Sequence, residues 1–180
     1  MMIARLVGLG MLLTGLAAEV GWTDTAPVAG LAGLHLPALA GPVLLTVTGL
    51  DPAQFPQGQV QLDLAMLQAM GATTFATSTI WTEGRHVYTG VLLTVFAADL
   101  KTGGARLKFH ALNDYAIEMP VAEATAQGPI LAYRMDDQPM SVRDKGPIWV
   151  IYPFDAGPQF RTDTIYSRSI WQLDRIDVLR

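Results

Sequence analysis

The sequence predicts an α+β domain in which mixed β-sheets carry a few short helices. Three observations support this. The first is the run Gly146-Pro147-Ile148-Trp149-Val150-Ile151-Tyr152-Pro153, large and apolar, uncharged, with a proline near each end. So short a run between prolines does not make an ordinary helix, so it is predicted as a strand buried on both faces. Such a strand needs partners on both sides, and most of the chain is expected to pack round it. The second observation is a series of short β-branched stretches separated by Gly, Pro, Asn and Asp turn signals. The third is that helix signals are few and the helices they mark are short.

Taken in order, the first strand covers residues 43–48 and Gly49 ends it. Asp51-Pro52 and Pro56-Gln57-Gly58 mark turns. Asp63 is placed to cap a short helix running to Met70, with Leu64, Leu67 and Met70 on one face and Gly71 as its stop. Residues 73–80 are rich in Thr and β-branched side chains and form a strand. Thr82-Glu83-Gly84-Arg85 is a turn, and a short strand follows at 86–88. Gly90 opens a second helix over 91–100, stopped by Gly103-Gly104. Residues 106–111 alternate polar and apolar, as a half-buried strand does. Asn113-Asp114 turns the chain into a strand over 115–119. A short helix or turn at 120–127 leads to a strand at 130–135, then the turn Asp136-Asp137-Gln138-Pro139 and the proline-bounded strand. Residues 154–164 read as an irregular loop, and 170–179 close the chain with one or two short strands.

The chain has 180 residues, which suits one domain. Hydrophobic residues make up 51% and charged residues 16%, so a filled core is expected and disorder is not. The net charge is -4 and no cluster of Lys and Arg occurs, which argues against a nucleic-acid partner. Cysteine is absent, which removes disulfides, thiolate metal sites, cysteine nucleophiles and iron–sulfur clusters.

Residues 1–18 have the form of a secretory signal peptide. Arg5 supplies the positive start, 6–16 the apolar stretch, and Gly15-Leu16-Ala17 or Leu16-Ala17-Ala18 the cleavage site. The stretch is shorter than the roughly 20 residues a membrane-spanning helix needs; an uncleaved anchor is the alternative. Residues 19–41, rich in Ala, Gly and Pro, form a leader, and 42–180 form the domain. The mature protein is therefore expected to be secreted or periplasmic, with no membrane association once the signal is removed.

The order of elements between residues 81 and 171 resembles the molybdopterin-binding domain of the sulfite oxidase family. Tyr88-Thr89-Gly90-Val91-Leu92-Leu93 looks like the family's aromatic-x-Gly-Val-x-Leu step. Ala111-Leu112-Asn113-Asp114-Tyr115 stands where the family has a turn ending in Asp-Gly-Tyr. The segment Ile130-Leu131-Ala132-Tyr133-Arg134-Met135-Asp136-Asp137-Gln138-Pro139-Met140 is similar to its Ala-x-x-Met-Asn-Gly hairpin. Residues 146–153 are similar to its Gly-x-Pro-Leu-Arg-Leu strand. Ser169-Ile170-Trp171-Gln172-Leu173 sits where the family has a Lys-Trp-Ile strand.

That resemblance implies a sulfite oxidase-like molybdopterin-binding fold, and two departures bear on activity. The position of the family's molybdenum-ligating cysteine falls near Thr77-Ser78-Thr79, and aliphatic hydroxyls are poor substitutes for a thiolate. Trp149 stands where the family strand carries an Arg belonging to its polar lining for the anionic cofactor. Molybdopterin remains possible as a cofactor; its ligation through cysteine does not.

The candidate ligand cleft comprises Thr77, Ser78, Thr79 and Trp81 together with Arg143, Arg161 and Arg168. An anion site requires the loops bearing the three arginines to converge, with Tyr152, Phe154, Tyr166 and Trp171 as aromatic walls. An ordinary Thr-rich strand, scattered surface charge and core aromatics account for the same residues. His86 and His110 would need a third ligand, such as Glu83 or Asp114, to hold zinc. Ser78, His110 and Asp114 compose a triad only by choice, because no Gly-x-Ser-x-Gly elbow is present. Asp136-Asp137 is read as a solvated hairpin tip.

Three functions follow as expectations. The first is a binding or sensing module that takes a small, anionic ligand or a periplasmic protein partner through the cofactor cleft, without molybdenum redox catalysis. The second is an active molybdopterin-dependent oxidoreductase holding its cofactor without a cysteine. The third is a structural subunit of a larger complex.

Overall fold

Alternation of side chains builds the first sheet. In β1 (Leu45–Thr48) Leu45 and Val47 point into the core, and in β2 (Gln59–Leu62) Val60 and Leu62 do the same between exposed glutamines. The computed structural model describes residues 38–180; the signal peptide expected at 1–18 and the leader up to residue 37 lie outside the described residues. Helix α1 (Leu64–Ala69) follows, then β3 (Thr73–Ser78), β4 (Arg85–Leu92), α2 (Leu93–Asp99), β5 (Arg106–Ala111) and β6 (Ala116–Pro120). The chain closes with β7 (Ile130–Met135), β8 (Gln138–Pro139), β9 (Trp149–Ile151), α3 (Asp163–Arg168) and β10 (Leu173–Leu179).

The strands form two sheets. One runs β2-β1-β10-β5-β6, with β1 parallel to β10 and the other pairs antiparallel. The other runs β3-β4-β7-β8, with β9 also paired to β7. Leu107, Phe109, Met119, Ile176 and Val178 from the first sheet join Leu131 and Val150 from the second, and Tyr152 just after β9, in one core. A smaller cluster of Tyr88, Ile130, Ala132, Met140, Trp149 and Ile151 lies on the second sheet. Each buried Val, Leu, Ile, Phe or Met among them contributes about 1.5–3 kcal/mol by leaving water.

The proline-bounded run is buried as expected: Trp149, Val150 and Ile151 are inaccessible to solvent. It is only three residues long as a strand, and one flank alone is a strand. Its other flank is held by irregular backbone, with Val150 N–H donating to Ile170 O at 2.9 Å and Leu173 N–H donating to Ile148 O at 3.0 Å. Its partner β7, by contrast, has strands on both sides.

The second helix begins at Leu93, not at Val91, because β4 continues to Leu92 in register with Ile130. Gly90 permits this pairing: a Cβ there would lie 2.2 Å from Leu131 O and 2.6 Å from the Ala132 Cα. Residues 154–164 are not an irregular loop throughout. They hold two short 3-10 turns and the start of α3, which Thr162 caps by accepting from Ile165 N–H at 3.3 Å. Asp63 caps α1 by accepting from Met66 N–H at 2.9 Å, and its second oxygen accepts from Ala40 and Gly41. Those hydrogen bonds, Met66 first, hold its carboxyl below the ordinary range against the opposing effect of burial. Among the described residues no helix is long and apolar enough to cross a membrane.

Candidate functional site

β3 ends at Thr77 and Ser78, and the turn after β9 brings Asp155 against them. Ser78 donates twice to the Asp155 carboxylate, from N–H at 2.8 Å and from Oγ at 2.6 Å. In return Asp155 N–H donates to Thr77 Oγ1 at 3.1 Å, and Thr77 is fully buried. Two arginines close on the same carboxylate, Arg161 at 3.4 Å and Arg85 at 3.6 Å. Burial pushes the Asp155 carboxyl up, but the Ser78 hydrogen bonds and the charges of Arg161 and Arg85 outweigh it and hold it below its ordinary range. Arg161 also donates from Nε to Phe154 O at 2.7 Å. The hydroxyls of Thr77 and Ser78 are thus taken up by the protein itself.

Thr79 is consumed in another way. Its Oγ1 accepts from Trp81 N–H at 3.1 Å and from Thr82 N–H at 3.0 Å, which turns the chain and aims Trp81 inward. The Trp81 ring then meets four others edge to face. Its centroid lies 5.9 Å from Trp149, 6.1 Å from Phe154, 5.8 Å from Tyr166 and 5.7 Å from Trp171. Trp149 is the floor of this group; its indole N–H donates to Ser169 O at 3.0 Å.

Above the floor lies an open cleft of about 330 Å³ walled by Trp81, Tyr115, Tyr166 and Trp171. The β5–β6 hairpin supplies Asn113 and Tyr115, and the end of α3 supplies Tyr166, Ser167 and Ser169. Tyr115 Oη donates to Ser167 O at 3.0 Å and ties the hairpin to the helix. Of the expected site residues only Trp81 lines this cleft, and of the expected walls Tyr166 and Trp171 do. Thr77, Ser78 and Thr79 line no part of it.

The three arginines have different surroundings. Arg161 belongs to the Asp155 cluster, Arg168 pairs with Glu123, and Arg143 lies in the exposed 3-10 turn Val142–Asp144. His86 donates toward Asp136 at 2.6 Å, whereas His110 contacts Asp177 at 2.7 Å on the other sheet. Ser78, His110 and Asp114 therefore form no triad. Among the described residues no three His, Asp or Glu side chains are grouped to hold a metal. Asp136 is more than a solvated tip: besides His86 it accepts from Val87 N–H at 2.9 Å. Asp136 and Asp137 take positive φ of 50° and 62°, as a two-residue hairpin turn requires.

Sequence reasoning missed Asp155, Asn113 and Tyr115 as site residues. The motif Ala111-Leu112-Asn113-Asp114-Tyr115 carried a signal for the last two; nothing local marked Asp155.

No family model and no curated protein matches the chain. Among solved structures, the sulfane dehydrogenase SoxCD from Paracoccus pantotrophus matches with a TM-score of 0.54 and 14% identity. The match covers 76% of this chain and 38% of that one, so this chain spans well under half its length. Likeness at that identity concerns the fold alone. The described residues have the α+β, sulfite oxidase-like molybdopterin-binding fold that the motif order implied.

Proposed function

We propose that the chain is an exported binding module that takes a small ligand in the aromatic cleft and performs no molybdenum redox chemistry. One observation carries this reading. The position where the resemblance implies a metal-ligating thiolate is closed by Asp155, while the neighbouring cleft beside Trp81 stays open. The motif segments around Tyr115 and Trp171 converge on that open cleft.

The residues present do not fit molybdopterin. Thr77 and Ser78 offer no thiolate, and their hydroxyls are engaged with Asp155 and its turn. A carboxylate at this point repels an anionic cofactor, and the adjacent Arg85 and Arg161 are already turned to it. Trp149, where the family has an Arg, is fully buried beneath Trp81 and supplies no charge. No redox step is derived through the group.

The test is purification of the protein from its native host, followed by elemental analysis for molybdenum and fluorescence of oxidised pterin. Both are expected to be absent, and N-terminal sequencing of the same material is expected to begin after Ala17 or Ala18. Near-stoichiometric molybdenum with pterin overturns the reading.

A further inference from the structure

The cleft is neutral. None of the residues lining it carries a formal charge. One cation stands just outside that lining, against a ring the cleft shares: Lys145 Nζ lies 5.8 Å from the Trp171 ring centroid and 5.7 Å from that of Trp149. The Lys145 backbone is fixed, with φ 70° and its carbonyl accepting from Gln172 N–H at 3.0 Å, the residue after Trp171. Arg85, Arg106, Arg161, Arg168 and Arg175 each face a carboxylate. Lys145 has no such partner among the described residues.

We propose that the cleft takes a planar aromatic acid, one or two fused rings bearing an anionic group. This rests on the cleft being the ligand site. The walls select for flatness. Trp81 stands at 89° to Tyr166 and at 69° to Trp171. A flat guest stacked on one wall therefore presents its edge to the next, the two arrangements aromatic rings prefer. Lys145 selects the charge, since it repels a cationic guest and offers an anionic one a partner beside an apolar wall. The hydrogen-bonding inventory selects against a polyhydroxylated guest. The Ser167 and Ser169 hydroxyls already donate to Thr164 O and Ile165 O, both at 2.8 Å. Asn113 Oδ1 accepts from Tyr115 N–H at 3.2 Å, which leaves its amide N–H groups as donors beside the cleft.

The experiment is calorimetric titration, with quenching of tryptophan fluorescence as a second readout. The probes are 2-naphthoate, its neutral analogue 2-naphthol, a naphthyl trimethylammonium cation and cellobiose. Naphthoate is expected to bind best. Lys145→Gln is expected to weaken naphthoate about tenfold and to leave naphthol unchanged, which a merely structural role of Lys145 does not produce. Tyr115→Ala, at a half-exposed position that the core does not depend on, weakens both. Preference for the cation or for cellobiose overturns the ligand class and leaves the cleft's binding role standing. An unchanged naphthoate affinity in Lys145→Gln overturns the anionic requirement. Failure of all four probes overturns the class and the binding role together.

Discussion

Two neighbouring regions of one face have opposite fates. Around Thr77 and Ser78 every polar group finds an intramolecular partner, and Asp155 closes the surface. Around Trp81, Tyr115, Tyr166 and Trp171 the side chains pack edge to face and leave a cleft of about 330 Å³. The difference follows from chemistry. Hydroxyls at a strand end beside a turn are satisfied by any carboxylate and N–H the turn delivers. Large rings held apart by their own edge-to-face geometry leave space that no small side chain fills. The residues that looked most reactive in the sequence are therefore the structural ones, and those that looked like core border an open cleft.

The strongest way to break this contrast is beneath the rings of the cleft. Trp149→Ala removes a fully buried ring packed on Tyr88, Trp81 and Trp171. It is expected to cost about 3–5 kcal/mol in denaturant unfolding and to abolish binding in the cleft. A milder change separates the regions. Thr77→Val keeps the shape but leaves Asp155 N–H without its acceptor, costing about 1–2 kcal/mol. Affinity in the cleft is expected to stay within about twofold, because no cleft contact is lost. A large loss of affinity in Thr77→Val instead makes the two regions one site.

Two strands were legible in the sequence over their full length, β5 by its alternation and β7 as an apolar run bounded by turn signals. The strand expected at 106–111 and that at 130–135 coincide with β5 and β7. β2 escaped notice because Gln59–Leu62 is only four residues long and follows directly on a turn. α3 was hidden by the Pro and Gly upstream, although Thr162 followed by Asp163 is a start signal. The open cleft was half legible: Trp81, Tyr166 and Trp171 were singled out, but their convergence depends on sheet topology. The closing of Thr77 and Ser78 was not legible at all. It depends on a contact across 77 residues, and a lone Asp after an apolar strand carries no mark of its partner.

The smallest expected effect sharpens the contrast through pH. At the start of β4 both ring nitrogens of His86 face acceptors, Asp136 Oδ2 at 2.6 Å and Glu83 O at 2.8 Å. The doubly protonated ring satisfies both, and the Asp136 hydrogen bond, opposed by burial, holds the His86 pKa above its ordinary 6.5. Its contribution is fully present below 6.5 and is lost as pH rises through the raised folded value. Asp155 runs the other way: its folded value is lowered, so its contribution is present above about 3.8 and is lost as pH falls through that lowered value. Half-exposed Asp136 is screened by water, which keeps the histidine effect under about 1 kcal/mol. Thermal melts across pH 2–9 are expected to show a decline of wild type above 6.5 that is absent in His86→Gln. The acid-side decline is expected to shrink in Asp155→Asn and to persist in His86→Gln. If one substitution flattens both limbs, the closed region and the start of β4 beside the Trp81 turn titrate as a single unit, and the division between them fails.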